Sequence, residues 1–425
     1  MNTTPHRPPL RIAGIGCGPR TRIYLKLAAA MPECYQVVAA ADPNAGRVES
    51  VRAHSNNPEF RAFPSAAEML AVPKFADVII IGTQDALHKE HAIAAMEAGY
   101  DLLLEKPIAT TLDDCNAVEE TANRLGRKVV VCHVLRYTPF YREVKRIIDS
   151  GELGEIITLN ATEGVGAWHQ AHSYVRGHWA NVDKASPMIL SKSSHDLDII
   201  RWLAGRPCER LSSFGSLSYF RKENAPPGAP PRCTDGCPVA DRCHYNSAHY
   251  ATTQRTWLSY VYDRSDSATP EEIHEWLKTS PWGRCVYHCD NTAVDHQTLG
   301  MEFGGGLTAT FTMTAFANHR HIEIYGTKGR LRGGDAVKET TGADIIVHKL
   351  DGTGERRWTQ ETPEGEFYAH GGGDFGLMRA LYDEIHLDDP RQMTSSLHVS
   401  LASHRMAFAS EQSRHTRQVI ELADA

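Results

Sequence analysis

Glu105-Lys106-Pro107 closes a run of three leucines, Leu102 to Leu104, with a turn signal at Gly99 before it. A short continuous apolar run bounded this way reads as a strand covered on both faces, as in a parallel sheet. The charges that end it then stand at the carboxyl edge, where open α/β sheets bind ligands. Pro107 bars the α region to Lys106 and holds it extended, so a lysine is aimed at a cleft. A second chemical signal lies near the N-terminus. Gly14-Ile-Gly16-Cys-Gly18-Pro19-Arg20 joins a strand over Leu10–Ile15 to a helix over 23–30. A glycine-rich turn between strand and helix is the context in which backbone N–H groups receive a pyrophosphate at a helix start. The third glycine of the usual GxGxxG is Pro19 here, which the first turn of a helix accepts. The next strand, over 36–41, ends at Asp42, where dinucleotide folds keep the carboxylate that binds an adenosine ribose. Arg47 is near enough to reach a 2′-phosphate, but the Asp42 carboxylate would repel that phosphate, so NAD is expected rather than NADP.

The elements that position these groups alternate regularly. Strands are expected at 77–81, 102–104 and 128–132, with helices at 87–98 and 112–125 between them. The fold class is therefore α/β, with an N-terminal doubly wound parallel sheet. Gly82-Thr83-Gln84 closes the fourth strand on the ligand edge, where Thr83 and Gln84 would line the nicotinamide half. With 425 residues the chain is too long for one core. Residues 1–134 are read as the dinucleotide-binding domain. Residues 135–425 are read as an α+β domain with a large, open, mostly antiparallel sheet, broken by a Cys-rich insertion at about 219–292. A formal net charge of −7 and the lack of a long basic run point away from nucleic acid and anionic membranes. No stretch approaches the length of a membrane span, and residues 1–9 have no apolar signal core, so a cytoplasmic location is expected.

The ordered set GxGxG, Asp42-Pro43, Gly82-Thr83-x-x-x-x-His88, Glu105-Lys106-Pro107 and His133-Val-Leu-Arg136-Tyr137 resembles the glucose-fructose oxidoreductase/inositol dehydrogenase/MocA (Gfo/Idh/MocA) family. The resemblance implies a Rossmann domain, and it places Lys106 in the substrate cleft beside the nicotinamide. It assigns to the cofactor Gly14, Gly16, Gly18, Pro19, Arg20, Asp42, Arg47, Thr83, Gln84, His88, Glu105, Lys106 and His133. In the second half, Ser191-Lys192-Ser-Ser-His195-Asp-Leu-Asp198 is similar to the family's Asp-x-x-x-His-x-x-Asp. His195 thereby takes the role of catalytic acid/base, and Asp198 matches as well. Ser191 stands where the family has its first aspartate, so the helper carboxylate is missing or comes from elsewhere. An imidazole titrating near neutrality suits proton removal, and a lysine beside it can hydrogen-bond the developing alkoxide. Arg136, Tyr137, Trp168, His178, Trp179, Lys192 and Asp198 are the expected substrate contacts, with His172 in the same aromatic and imidazole-rich tract. His370 and Asp374 are expected at the border of the cleft.

The implied activity is hydride transfer between NAD and a hydroxyl of a sugar, glycoside, sugar acid or cyclitol. Two alternatives stay open: a redox-neutral glycosidase that oxidises its sugar transiently, and a non-catalytic NAD sensor. Antiparallel meanders after Gln297 offer a face for a homo-oligomer, a dimer or tetramer. Cys233, Cys237 and Cys243, with Cys285 and Cys289 returning later, suggest a four-thiolate structural zinc in a polar insertion, with His244 and His288 in reserve. The spacing is not that of a standard knuckle, and an iron–sulfur cluster or free thiols remain alternatives.

Overall fold

The computed structural model describes residues 7–361 and 369–422. Leu10–Ile15 (β1), Tyr35–Ala41 (β2), Arg61–Phe63 (β3), Val78–Ile81 (β4), Asp101–Leu104 (β5) and Val129–Val131 (β6) form a parallel sheet in the order β3-β2-β1-β4-β5-β6. Period-2 alternation sends Ile12, Ile80 and Leu103 to one side, against Tyr24 and Leu25 of helix α1 (Pro19–Ala29). Ile79, Ile81, Leu102 and Leu104 go to the other, against Ala92 and Met96 of the helix His88–Glu97. With both faces covered, an unbroken apolar strand is what the sheet requires. The short strand β3 and helix α2 (Ala45–Arg52) had no clear sequence pattern; α2 starts at Asn44, whose side chain accepts from the Gly46 and Arg47 amides.

The strand order reverses between β1 and β4, which brings their following turns together. Gly16 has φ 81°, and a Cβ there would come within 2.8 Å of the Gly82 carbonyl oxygen. Only glycine lets the two turns approach this closely. From the far end of the chain, the helix Gly373–Glu384 packs Leu377, Met378 and Leu381 into the α1 layer. The helix Leu397–Thr416 puts Leu397 and Leu401 against the opposite layer, and Met406 and Ala407 into the second sheet's core. These two helices tie the halves of the cleft to one another.

The second sheet has nine strands among the described residues, in the order β14-β13-β12-β11-β7-β10-β9-β8-β15. They are β7 (Ile156–Gly164), β8 (Cys208–Ser216), β9 (His296–Phe303), β10 (Leu307–Thr314), β11 (Arg320–Gly326), β12 (Gly329–Gly334), β13 (Ile345–Lys349), β14 (Glu355–Trp358) and β15 (Ile420–Glu421). β7 and β10 pair in parallel, and the other neighbours are antiparallel. Leu159, Leu299, Phe303, Phe311 and Ile322 face the helices, while Thr298, Thr308 and Thr310 face solvent.

Between β8 and β9 lies the insertion. It was expected to be too polar to fold unaided, and the structure differs. Tyr250, Leu258, Ile273, Leu277 and Trp282 build a core on Trp168, and Phe220, Tyr245, Val286 and Tyr287 build another on Ala171 and Val175. These side chains recur with no regular period, which is why a pattern search passes over them.

Candidate active site

The glycine turn leaves the start of α1 open. Gly18 caps the helix without a side-chain hydrogen bond, the first turn holds no acidic residue, and a Cβ at Gly18 would meet nothing closer than 3.8 Å. Thr21 Oγ1, at the same turn, is buried without a partner. Uncapped N–H groups, a positive dipole end and free space fit the pyrophosphate of a dinucleotide. At the ribose edge Asp42 accepts from the Cys17 amide at 2.7 Å and the Asn44 amide at 2.8 Å.

Next to this groove a set of charged contacts fixes the end of β5. Glu105 Oε1 accepts from Arg20 Nε at 3.0 Å and from Tyr24 OH at 2.9 Å, and Oε2 accepts from the Lys106 amide at 3.0 Å. Arg20 also binds Asp374 through both Nη atoms, at 3.0 and 2.5 Å, and it contacts Tyr24 OH. Asp374 in turn accepts from His370 at 2.9 Å and is held well below the usual carboxylate range: Arg20 and the His370 hydrogen bond outweigh its burial. Arg20, expected on the cofactor, thus clamps Glu105 to the C-terminal helix. His88 does similar work, with Nδ1 2.6 Å from the Pro107 carbonyl and Nε2 3.1 Å from the Thr83 carbonyl. The Thr83 hydroxyl lies 3.1 Å from His91 Nδ1.

Lys106 emerges from this clamp into the space between the two sheets. Its Nζ donates to the Ser191 carbonyl oxygen at 2.5 Å. Burial pushes its ammonium below the ordinary lysine range, Glu105 opposes this, and Lys192 adds to it. His195 stands opposite. Its Nδ1 is buried with no hydrogen-bond partner, and burial followed by the nearby Lys106 charge holds the imidazole well below its usual value. The Lys106 charge thus acts on His195 and disfavours its protonated form. Ser191, at the position of the family's first aspartate, spends its hydroxyl on the Pro187 carbonyl at 3.1 Å.

A network absent from the sequence reading lines the second-sheet side. Glu163 Oε1 is 2.8 Å from Lys192 Nζ, and Glu163 Oε2 is 2.6 Å from Arg320 Nε, which also reaches Asp196 Oδ1 at 3.2 Å. Burial raises Asp196 to about 6 against the pull of Arg320. Asp85, which accepts from Trp179 Nε1 at 2.8 Å and Ser186 Oγ at 3.0 Å, is another carboxylate whose charge Lys106 feels. His169, held neutral first by burial and then by Lys192, feels the Lys106 charge as well. It precedes Gln170–Val175, which winds as a π-helix. Such a turn resets the side-chain register, so regular periodicity does not reveal where His169 points.

Several of the other expected substrate and cofactor contacts are turned inward. Arg136 makes a bidentate pair with Asp198, at 2.6 and 2.8 Å, and donates to the Thr394 carbonyl at 2.8 Å. Tyr137 is buried with its hydroxyl 2.8 Å from Ser395 Oγ. Trp168 belongs to the insertion core, and His172 Nδ1 lies 2.7 Å from Tyr250 OH. His178 is exposed beside Trp179 and Trp282 at the mouth. His133 is fully buried, packs edge-on to His195 and His404 at 5.7 and 5.8 Å between centroids, and is pushed down to about 4 by burial.

Cys233, Cys237, Cys243 and Cys285 line one small cavity, and Arg176 Nη2 lies 3.7 Å from Cys233 Sγ. Cys289 Sγ is 3.3 Å from the Cys285 carbonyl. Among the described residues no three His, Cys, Asp or Glu side chains are arranged to hold a metal ion, so the zinc expectation gains no support. His244 packs on Trp168 and Tyr245, and His288 Nε2 lies 3.1 Å from the Ala229 carbonyl. Aromatic cores pack the insertion around these thiols. Among the described residues no helix is long and apolar enough to cross a membrane.

Comparison with known proteins agrees with this geometry. Residues 10–133 match the family described as "Oxidoreductase family, NAD-binding Rossmann fold", and residues 141–332 match the "GFO/IDH/MocA C-terminal domain". The chain is 28% identical over 315 residues to 1-carboxy-3-chloro-3,4-dihydroxycyclo hexa-1,5-diene dehydrogenase of Comamonas testosteroni, covering 71% of this chain and 73% of that one. It is 31% identical over 198 residues to inositol 2-dehydrogenase 2 of Saccharopolyspora erythraea, covering 46% of this chain and 54% of that protein. Among solved structures, the WlbA dehydrogenase from Bordetella pertussis, in complex with NADH and UDP-GlcNAcA, superposes with a TM-score of 0.66 at 17% identity over 98% of this chain and all of that one.

Proposed function

Because this chain belongs to the Gfo/Idh/MocA family of NAD-binding oxidoreductases, we propose that it is an NAD-dependent dehydrogenase that oxidises a hydroxyl of a cyclitol, sugar, sugar acid or glycoside. The observation that supports this reading is that Lys106, whose Nζ reaches the Ser191 carbonyl, lies near enough to His195 for its charge to act on that buried imidazole, whose Nδ1 has no hydrogen-bond partner. The names of the relatives support the substrate class: one is a dehydrogenase of inositol, another of a carboxylated ring diol.

Bound NAD would supply the hydride acceptor, held by the start of α1 and by Asp42. The chain's own residues handle the proton. Lys106 Nζ, directed by the Glu105 clamp, hydrogen-bonds the substrate hydroxyl oxygen and stabilises negative charge as it forms. His195 accepts the departing proton, for which its neutral imidazole is prepared. Lys192, held by Glu163, and Trp179, held by Asp85, orient further hydroxyls.

The cofactor half of the proposal is testable alone. Since Asp42 repels a 2′-phosphate, NAD should bind about tenfold more tightly than NADP, a difference of about 1.4 kcal/mol. A titration in which NADP bound more tightly would remove it. The catalytic half is tested by assaying cyclitols, sugars, sugar acids and glycosides for NAD reduction by the purified protein.

A further inference from the structure

The Cys-rich insertion reaches back to the nucleotide-binding half through Asp263. Asn44 Nδ2 donates to Asp263 Oδ2 at 2.9 Å, and Arg47 Nε donates to Asp263 Oδ1 at 3.4 Å. Asn44 and Arg47 begin α2 immediately after Asp42, the carboxylate on which the NAD reading rests. The Arg47 charge reaches Cys17 in the glycine turn and His178. Asp263 is presented by an ordered arch. Arg255 donates to the Ser265 carbonyl at 3.0 and 2.7 Å and to the Ala268 carbonyl at 2.5 Å, which closes residues 255–268 on themselves.

An arginine just past the second strand is the group that accommodates the 2′-phosphate in NADP-using folds. In this chain a carboxylate from a segment outside the Rossmann sheet already occupies it. We propose that Asp263 is a specificity-determining residue, which holds Arg47 away from a 2′-phosphate and adds a second negative charge to that of Asp42. The insertion is then a latch over the adenosine end of the groove, and it selects NAD. The inference rests on the NAD reading above. The pair is half-exposed, with side chains 32% and 48% accessible, so the contact is weak enough to open for cofactor entry.

The test is titration of NAD and NADP against the full-length protein and three variants. Asp263→Asn should raise NADP affinity about fivefold and change NAD affinity less than about twofold. In an Arg47→Ala background the same substitution should gain less, because no guanidinium is released. Asp266→Asn, on the same arch, should leave the ratio as in the wild type. An unchanged ratio in Asp263→Asn, or an equal shift in Asp266→Asn, would overturn the latch while leaving NAD preference intact. A wild type that prefers NADP would overturn both the latch and the NAD reading.

Discussion

Replacing Lys106 or His195 by alanine should lower turnover by about 10²- to 10⁴-fold while leaving NAD affinity within about twofold of the wild type. The size follows from what each group does. On the proposed mechanism Lys106 acts on charge that develops as the hydroxyl proton leaves, and His195 receives that proton, so both should matter more in the transition state than in the ground state. NAD affinity should be spared because, on the proposed reading, the pyrophosphate and ribose are held at the start of α1 and at Asp42 rather than by these two side chains. The pH profile provides a second reading. Burial lowers the Lys106 ammonium from its ordinary value, so the rate of oxidation should fall along an alkaline limb that lies below the ordinary lysine range, where the stabilising charge is lost, and that limb should vanish in Lys106→Ala. Near-normal turnover in both variants on the true substrate would remove the pair from the chemistry.

Much of this site is legible in the sequence because its first half is local. Leu102–Leu104 is read as a buried strand since neither face can be polar, and Glu105-Lys106 follows at its end by chain continuity alone. The glycine turn is legible for the same reason: Gly16 meets Gly82 through backbone geometry that no other residue allows. The second half resists such reading. Glu163 and Arg320 lie on β7 and β11, which are neighbours only through the sheet order. Asp374 reaches Arg20 across a separation of 354 residues. Neither pair leaves a local signal. Aromatic and imidazole residues in 168–179 look alike on paper, yet His169, packed on Trp257, feels the charges of Lys192 and Lys106, whereas His172 pairs with Tyr250 of the insertion. Cysteine spacing drew the eye to the insertion, whereas the tryptophans and tyrosines of its cores are scattered without a period.

Asp198→Ala should destabilise the folded chain by about 3–5 kcal/mol. Asp198 and Arg136 are 1% and 3% accessible and joined by two hydrogen bonds, so the variant strands a guanidinium in the interior. The remaining contact of Arg136 with the Thr394 carbonyl supplies no countercharge. Breaking one side of such a pair costs more than the pair contributes, whereas replacing both sides with apolar groups of similar size is often near neutral. Arg136→Met with Asp198→Leu should therefore recover most of the loss. Urea unfolding followed by fluorescence and by circular dichroism measures it, and a loss below about 1 kcal/mol in Asp198→Ala would show that the pair is hydrated and structurally minor.

The central claim is net oxidation of a hydroxyl coupled to reduction of NAD. It is tested most directly by incubating the purified protein with NAD and each of a panel of cyclitols, sugars, sugar acids and glycosides, and measuring reduced nicotinamide and oxidised product in the same sample. The account predicts a substrate for which the two accumulate in equal amounts. Release of free sugar from a glycoside with no net reduced nicotinamide, or NAD binding without turnover on any of these compounds, would contradict it.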